Sequence, residues 1–267
     1  MPFGVRFPRR EKRQEMNSID KLTLCIPMYN ESAIIEDTVK TLTAALEHYC
    51  ESGAYGSWEL IVSDDGSTDG SAELVRSLAL NGVRVCGYEH NRGKGCAVRT
   101  AMLEAVKSSA GSGHVIMFTD ADLAYGTEVI SRFARAFAEN ENTDIFIGSR
   151  NLSSDGYEKY NLLRRIASKV YIKMLCIVGG FRLSDSQCGC KAFRAPAAER
   201  IFSLAETDGF AFDFEALLLA GRLGFGIGEI PVSVINHRES KIRLWRDVVK
   251  MTADLFRMKR RVAKIKL

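Results

Sequence analysis

Two carboxylates stand two residues apart in Asp120-Ala121-Asp122, directly after the apolar run His114–Thr119. Such a pair at a strand end can face a hard divalent cation, Mg²⁺ or Mn²⁺, and leave coordination positions open for phosphate oxygens. The competing reading is a solvated turn whose Asp caps the next helix. A second acidic cluster, Asp64-Asp65-Gly66-Ser67-Thr68-Asp69, follows the run Glu59–Ser63. Its Ser and Gly suit a tight turn and a helix start. Two acids directly after a β-branched strand also suit hydrogen bonds to a nucleobase or ribose. Pro27, Tyr29 and Glu31 follow the first apolar run. Proline there stops a strand, and the tyrosine offers a flat face to a base. Asn91-Arg92-Gly93-Lys94-Gly95 and Gly148-Ser149-Arg150 bring cations and glycines. Neither G-x-G-x-x-G after the first strand nor G-x-x-x-x-G-K-[ST] occurs, which argues against a dinucleotide dehydrogenase and a P-loop NTPase.

These groups need a scaffold that gathers them. Leu22–Ile26, Glu59–Ser63, Val83–Tyr88, His114–Thr119 and Asp144–Gly148 read as strands bounded by turn residues. Amphipathic segments near 32–50, 70–80, 94–109 and 126–139 separate them. This alternation predicts an α/β fold with a mostly parallel central sheet flanked by helices. Ligands of such sheets sit at the carboxyl ends of the strands, where every cluster above falls. Beyond residue 150 the pattern predicts helices at 159–177, 196–203 and 213–223, and a strand at 226–234. It ends in an amphipathic C-terminal helix over 242–266, with Trp245, Val248, Val249, Thr252, Leu255 and Phe256 on one face. The domain reading is a basic arm over 1–20, a catalytic domain over 21–240 and a basic helix over 241–267.

The chain of 267 residues is 46% hydrophobic and 26% charged, an ordinary globular composition. No apolar run approaches a membrane span, and no signal-peptide core follows the basic start. Seven scattered cysteines predict reduced thiols and a cytoplasmic setting, and Cys188 and Cys190 read as packing residues. The net charge of +4 is uneven: residues 1–13 carry +4 and 241–267 carry +8, which leaves an acidic body of −8. Basic ends are drawn to anionic surfaces, so the chain is expected to sit peripherally on a membrane. No aromatic-rich basic groove points to nucleic acid.

The strand-end motifs I-P-M-Y-N-E, S-D-D-G-S-T-D-G, N-R-G-K-G, T-D-A-D and G-S-R, in that order, resemble family 2 glycosyltransferases of the GT-A fold. The likeness covers residues 21–150. Asp185-Ser186-Gln187-Cys188-Gly189-Cys190-Lys191-Ala192-Phe193, Ala211-Phe212-Asp213-Phe214-Glu215, Glu229-Ile230-Pro231-Val232 and Glu239-Ser240-Lys241 look like blocks of dolichyl-phosphate β-glucosyltransferases. The resemblance implies a nucleoside-diphosphate sugar donor, a polyprenyl phosphate acceptor and a divalent metal. It implies that Pro27, Tyr29, Glu31, Ser63 and Asp65 hold the nucleoside. Asp120, Ala121 and Asp122 would hold the diphosphate through metal, and Arg150 and Lys241 would contact phosphate. Arg238 stands where the glucosyltransferase block has glycine, Ile235 where mannose synthases have arginine, and no N-terminal membrane helix is read here.

The implied reaction is inverting displacement at an anomeric carbon. Metal, Arg150 and Lys94 would neutralise charge on the departing diphosphate. A phosphate nucleophile is already anionic and needs no strong base. Arg164, Arg165, Lys191 and Arg194 are candidates for the acceptor phosphate, since such cations suit paired bonds to phosphate. Asp185 either orients the acceptor or acts as a base. Glucose from UDP-glucose is the first reading. The alternatives are a GDP-mannose-using mannose synthase, a transferase with a soluble acceptor, and a non-catalytic nucleotide-sugar binder. A membrane partner protein or a second copy of the chain is compatible with each.

Overall fold

The computed structural model describes residues 19–108, 111–153, 172–236 and 255–265. Its strands are β1 (Lys21–Met28), β2 (Trp58–Asp64), β3 (Val83–Gly87), β4 (His114–Phe118), β5 (Ile145–Ser149), β6 (Lys191–Arg194) and β7 (Ile227–Pro231). Its helices are α1 (Ile35–Glu51), α2 (Ser71–Ser77), α3 (Lys94–Ser108), α4 (Glu128–Glu139), α5 (172–179), α6 (Ala195–Leu204), α7 (Phe212–Leu223) and α8 (255–263). The strands join in one seven-stranded sheet of order β3-β2-β1-β4-β6-β5-β7.

Six strands (β1 to β5 and β7) and six helices (α1 to α4, α6 and α7) fall within a few residues of where the sequence pattern puts them. Alternation within the strands explains the two-sided burial. In β1, Leu22, Leu24 and Ile26 enter a core shared with α1, α2 and α4. Cys25 points to the other face, where α3, α6, α7 and α8 supply the second core. In β4, Val115 and Met117 join the first core and Ile116 and Phe118 the second.

Two expectations are corrected. Pro27 does not end the first strand, because β1 runs on through Met28 beside Asp64 of β2. Cys25 accepts a backbone bond from Thr119 on the β4 side, and the β1–β4 ladder stops there. Position 27 faces that same side, so its missing N–H leaves no ladder bond unmade. The second correction is β6, which the sequence pattern does not announce. It is only four residues long and runs antiparallel to both β4 and β5.

The terminal helix packs on the domain through Leu255, Met258 and Val262, all buried in the second core. Phe256, expected on the apolar face, is 54% exposed. The spacing 255, 258, 262 defines the stripe that docks, and 256 lies off it. Residues 242–254 of the expected helix lie outside the described residues, as does most of the expected helix at 159–177. No helix among the described residues is long and apolar enough to cross a membrane.

Candidate active site at the carboxyl edge of the sheet

The ends of β1 and β2 are tied together by side chains of the first two motifs. Asn30 takes the left-handed conformation at φ 52°, which Asn tolerates better than most residues. Its Oδ1 accepts from the Thr68 amide at 2.8 Å, and its own amide donates to Ser67 Oγ at 2.9 Å. The Glu31 amide donates to Ser71 Oγ at 2.9 Å, and the Ser32 amide to Asp69 Oδ2 at 2.9 Å. Tyr29 is left standing 40% exposed beside this turn. The Ser–Asp pattern therefore does the structural work that turn chemistry predicts.

Asp65 plays a part the sequence did not indicate. It is 3% exposed, and its carboxylate accepts from Tyr88 Oη at 2.6 Å, Asn91 Nδ2 at 2.9 Å and the Arg92 amide at 2.8 Å. The Gly93 amide donates to both oxygens at 3.0 Å. The carboxylate thus holds the loop between β3 and α3 against β2. Ser63, also expected at the nucleoside, is fully buried beside Pro27. The same loop is clamped from outside. Gly93 and Gly95 approach the backbone of Thr207 and Asp208 so closely that a Cβ would sit 2.6 and 2.4 Å from their carbonyl oxygens. Arg99 adds a 2.6 Å ion pair to Asp208.

This clamp delivers Lys94, the first residue of α3, to Asp120 at the end of β4, where the two form an ion pair. Burial works against the lysine's charge, but Asp120 and Asp213 outweigh it and raise its pKa. Asp122 is half-buried, and its Oδ1 accepts from the Ala124 amide at 3.0 Å. Burial and the neighbouring Asp120 charge push its carboxyl up. Leu123 holds φ 53°, a strained position for a branched side chain, and it turns the loop sharply after the pair. The Ala121 carbonyl accepts from Thr38 Oγ1 at 2.7 Å, which pins the loop to α1. On the other side Gly189 lies so close that a Cβ would be 2.5 Å from Asp120 Oδ2. The Gly189 amide donates to Tyr125 Oη at 3.0 Å. Tyr125 and Gly189 were not singled out from the sequence, although Tyr125 is the only aromatic in the D-A-D-L-A-Y stretch.

At the end of β5, Arg150 meets Asp185. The arginine donates from its amide at 3.1 Å, from Nε at 2.6 Å and from Nη2 at 2.9 Å. Asp185 is fully buried, and the guanidinium retains 13% exposure. Burial opposes the arginine's charge, but the carboxylate overcomes this and raises its pKa. Behind the pair, Glu229 of β7 accepts from the Ser184 amide at 2.9 Å and Ser184 Oγ at 2.6 Å. Ser184 Oγ also meets Ser149 Oγ at 2.5 Å. Both Asp185 oxygens accept from the Arg150 side chain, a partner the sequence reading did not assign to it.

Two acceptor candidates are misplaced. β6 enters the sheet at the loop edge and leaves at the opposite one. Lys191 accordingly stands beside Phe118 but points inward, fully buried, paired with Asp213 at 2.7 Å and the Cys188 carbonyl at 2.6 Å. Three residues on, Arg194 emerges at the far edge and donates to the carbonyls of Thr143, Ser112 and Phe137, each at 3.0 Å. Neither can meet a phosphate at the site. Asp213 and Glu215, in the first turn of α7, are used structurally. Glu215 accepts from the Glu206 and Thr207 amides at 3.0 and 2.8 Å and pairs with Arg261 of α8. Arg164, Arg165 and Lys241 lie outside the described residues.

The donor set fits a divalent cation of the open type. Among the described residues no cluster of three or more His, Cys, Asp or Glu side chains could enclose a metal. Two hard carboxylates on one loop suffice when substrate oxygens complete the shell. Burial and the Asp120 charge both disfavour the ionised Asp122, a bound cation would offset them, and the Lys94 ammonium already compensates Asp120.

This mostly parallel sheet, with the acid pair and the anchored guanidinium at its carboxyl edge, has the GT-A fold. The model of Glycosyl transferase family 2 matches residues 23–202, and the chain belongs to that family. It is a glycosyltransferase. It is 30% identical over 259 residues to a dolichyl-phosphate beta-glucosyltransferase of Dictyostelium discoideum, covering 92% of this chain and 76% of that one. To the enzyme of the same name from Saccharomyces cerevisiae it is 33% identical, covering 88% of this chain and 72% of the other. Among solved structures, glucosyl-3-phosphoglycerate synthase from Mycobacterium tuberculosis with UDP shares the fold at TM-score 0.65 and 18% identity, covering 97% of this chain and 88% of that one.

Proposed function

We propose that this protein moves a hexose, glucose from UDP-glucose, with inversion onto a polyprenyl phosphate at a membrane surface. The observation that carries the reading is the pairing, on one sheet edge, of the Asp120/Asp122/Lys94 cluster with an Arg150 locked by Asp185. The first suits a metal-bound diphosphate. The second suits a phosphate that must be held in line. Named relatives that are dolichyl-phosphate beta-glucosyltransferases support the sugar and acceptor classes. A neighbour of the same fold, solved with Mn²⁺ and UDP, supports a divalent metal.

In this reading Asp120 and Asp122 would hold a divalent metal, which would supply Lewis-acid stabilisation of the leaving diphosphate. Tyr29, Pro27 and Glu31 form the wall for the nucleoside, and Asp65 acts by fixing the 88–93 loop. Lys94 moves from Asp120 to the diphosphate when the donor enters. Arg150, its side chain preorganised by two bonds from Asp185, binds phosphate without the entropy cost of a free side chain. The anomeric carbon–oxygen bond to the diphosphate breaks as a phosphate oxygen of the acceptor bonds to that carbon. No proton has to be removed, which agrees with the commitment of the Asp185 carboxylate to Arg150. A hydroxyl acceptor would require a free base in that position.

The test is nucleotide release from UDP-glucose and from GDP-mannose, with Mn²⁺ or Mg²⁺, with and without polyprenyl phosphate in detergent. UDP release that depends on the lipid and yields an anionic glycolipid is expected. Lipid-dependent GDP release would replace glucose by mannose. Release that depends on a soluble hydroxyl compound would remove the lipid acceptor.

A further inference from the structure

Six large apolar side chains are exposed among the described residues: Tyr29, Leu152, Ile177, Phe210, Ile235 and Phe256. Single exposed apolar residues are ordinary and mean nothing when scattered. Three of these share one edge of the sheet. Tyr29 follows β1, Leu152 follows β5 and Ile235 follows β7, all at the carboxyl edge of parallel strands. Phe210 lies in the segment that clamps the loop before α3. The most exposed is Ile177, at 72%, followed by Phe256 and Ile235 at 54% and Leu152 at 51%.

A cleft of about 360 Å³ is lined by Asn151, Ile172, Lys173, Cys176, Leu183 and Ser184, and Leu152 and Ile177 are the chain neighbours of its Asn151 and Cys176. The cleft adjoins the Arg150–Asp185 pair through Asn151 and Ser184, since Asn151 Nδ2 donates to the Ser184 carbonyl at 2.5 Å. Lys173, Cys176 and Ile177 share one face of α5 by their i, i+3, i+4 spacing. Residues 172–183 include two charged side chains, Lys173 and Arg182, both cationic and both exposed. In sequence, the whole run 159–184 contains six Lys or Arg and no Asp or Glu.

From these observations we infer that the corner formed by Leu152, Lys173, Ile177 and Arg182 is the surface that meets an anionic lipid bilayer, with the cleft beside Arg150 opening toward it. The inference rests on the polyprenyl phosphate reading and deepens it by naming the face that docks. A bilayer is favoured over a protein partner by two features. The apolar tips are separate side chains rising beside cations, without a continuous apolar face to match a partner's. The exposed charges described beside them, Lys173 and Arg182, are both cationic and complementary to acidic headgroups. Separate tips insert between lipids one at a time, while cations stay at the headgroups.

The test compares the full chain with the Leu152→Ser/Ile177→Ser variant in sedimentation with phosphatidylcholine vesicles, with and without phosphatidylglycerol. Wild-type binding that requires phosphatidylglycerol and falls roughly tenfold or more in the variant is expected. Lys173→Ala/Arg182→Ala should lower binding to the phosphatidylglycerol vesicles as well. UDP binding and the thermal unfolding midpoint of the apolar variant should match wild type, since both residues are exposed and neither belongs to the nucleotide wall. Equal vesicle binding by wild type and both variants overturns the inference, and so does no binding of wild type to either vesicle. Transfer to polyprenyl phosphate in detergent is read separately. Its failure with vesicle binding intact and variant-sensitive discards the acceptor and keeps the surface. Its success with variant-insensitive binding keeps the acceptor and discards the surface.

Discussion

Adding one methyl group at Gly189 should disable the site while leaving the fold. The Cβ of Gly189→Ala would lie 2.5 Å from Asp120 Oδ2 and 3.2 Å from its Cγ, whereas ordinary contact begins at 3.4 Å. The carboxylate must therefore withdraw by about 0.9 Å, the gap between those two distances. Gly189 is not among the glycines of positive φ, so alanine is tolerated by the backbone itself. A displacement of about 1 Å in a catalytic constellation costs roughly 10²-fold in rate. Overpacking costs about 1–3 kcal/mol of stability at most, because Asp120 is partly exposed and can move outward. The assay is nucleotide release as a function of Mn²⁺ concentration, beside a thermal melt. Gly221→Ala is the control, since nothing lies within 4 Å of its Cβ. It sits in α7, where alanine should stabilise by about 0.5–1 kcal/mol and leave turnover alone. If Gly189→Ala turned over at the wild-type rate with the wild-type metal requirement, Asp120 would not be where the chemistry needs it.

Three further outcomes are expected. Asp122→Ala should abolish turnover with a stability change within about 0.5 kcal/mol, checked by denaturant titration, because a half-exposed loop carboxylate carries little of the fold. Asp213→Ala should cost about 3–5 kcal/mol, since it strands the buried Lys191 charge, and the double variant Lys191→Met/Asp213→Leu should recover most of that loss. Glu59→Gln tests a pH dependence. Burial alone would raise the Glu59 carboxyl, but Arg84 at 2.5 Å and Lys21 at 2.9 Å outweigh it and hold the pKa below the usual range. A depressed folded-state pKa stabilises above the unfolded value near 4.3 and loses that contribution as pH falls through the folded one. Wild type should exceed Glu59→Gln by about 2 kcal/mol at neutral pH, and the two should converge in acid.

The parallel half of the sheet was legible because each of its strands is a short apolar run ending in turn residues. Ligand-bearing loops of such a sheet have a fixed place, so Asp120, Asp122, Lys94 and Arg150 could be put on one edge by counting strands. β6 was not legible. Four residues, one of them a lysine and one an arginine, carry no periodicity, and only pairing with β4 and β5 defines them. Without that strand, Lys191 and Arg194 read as free cations suited to an acceptor phosphate. The roles of Asp65 and Asp185 were hidden for a related reason. A carboxylate that binds a ligand and one that binds its own loop or arginine are the same residue type. Only the donors around it, from Tyr88, Asn91 and the 92–93 amides for Asp65, tell them apart.

Because β6 runs against both neighbours, the chain leaves β5 and re-enters the sheet on the same edge. This excursion of the chain starts at Arg150 and ends at Cys190, both at the mouth of the site, and the Arg150–Asp185 pair ties its two ends. The acid pair and Lys94 belong to β4 and the start of α3, yet the excursion reaches them as well, through Gly189 packed against Asp120. A change in its length would therefore be felt at two places at once, at Arg150 and at the acid pair.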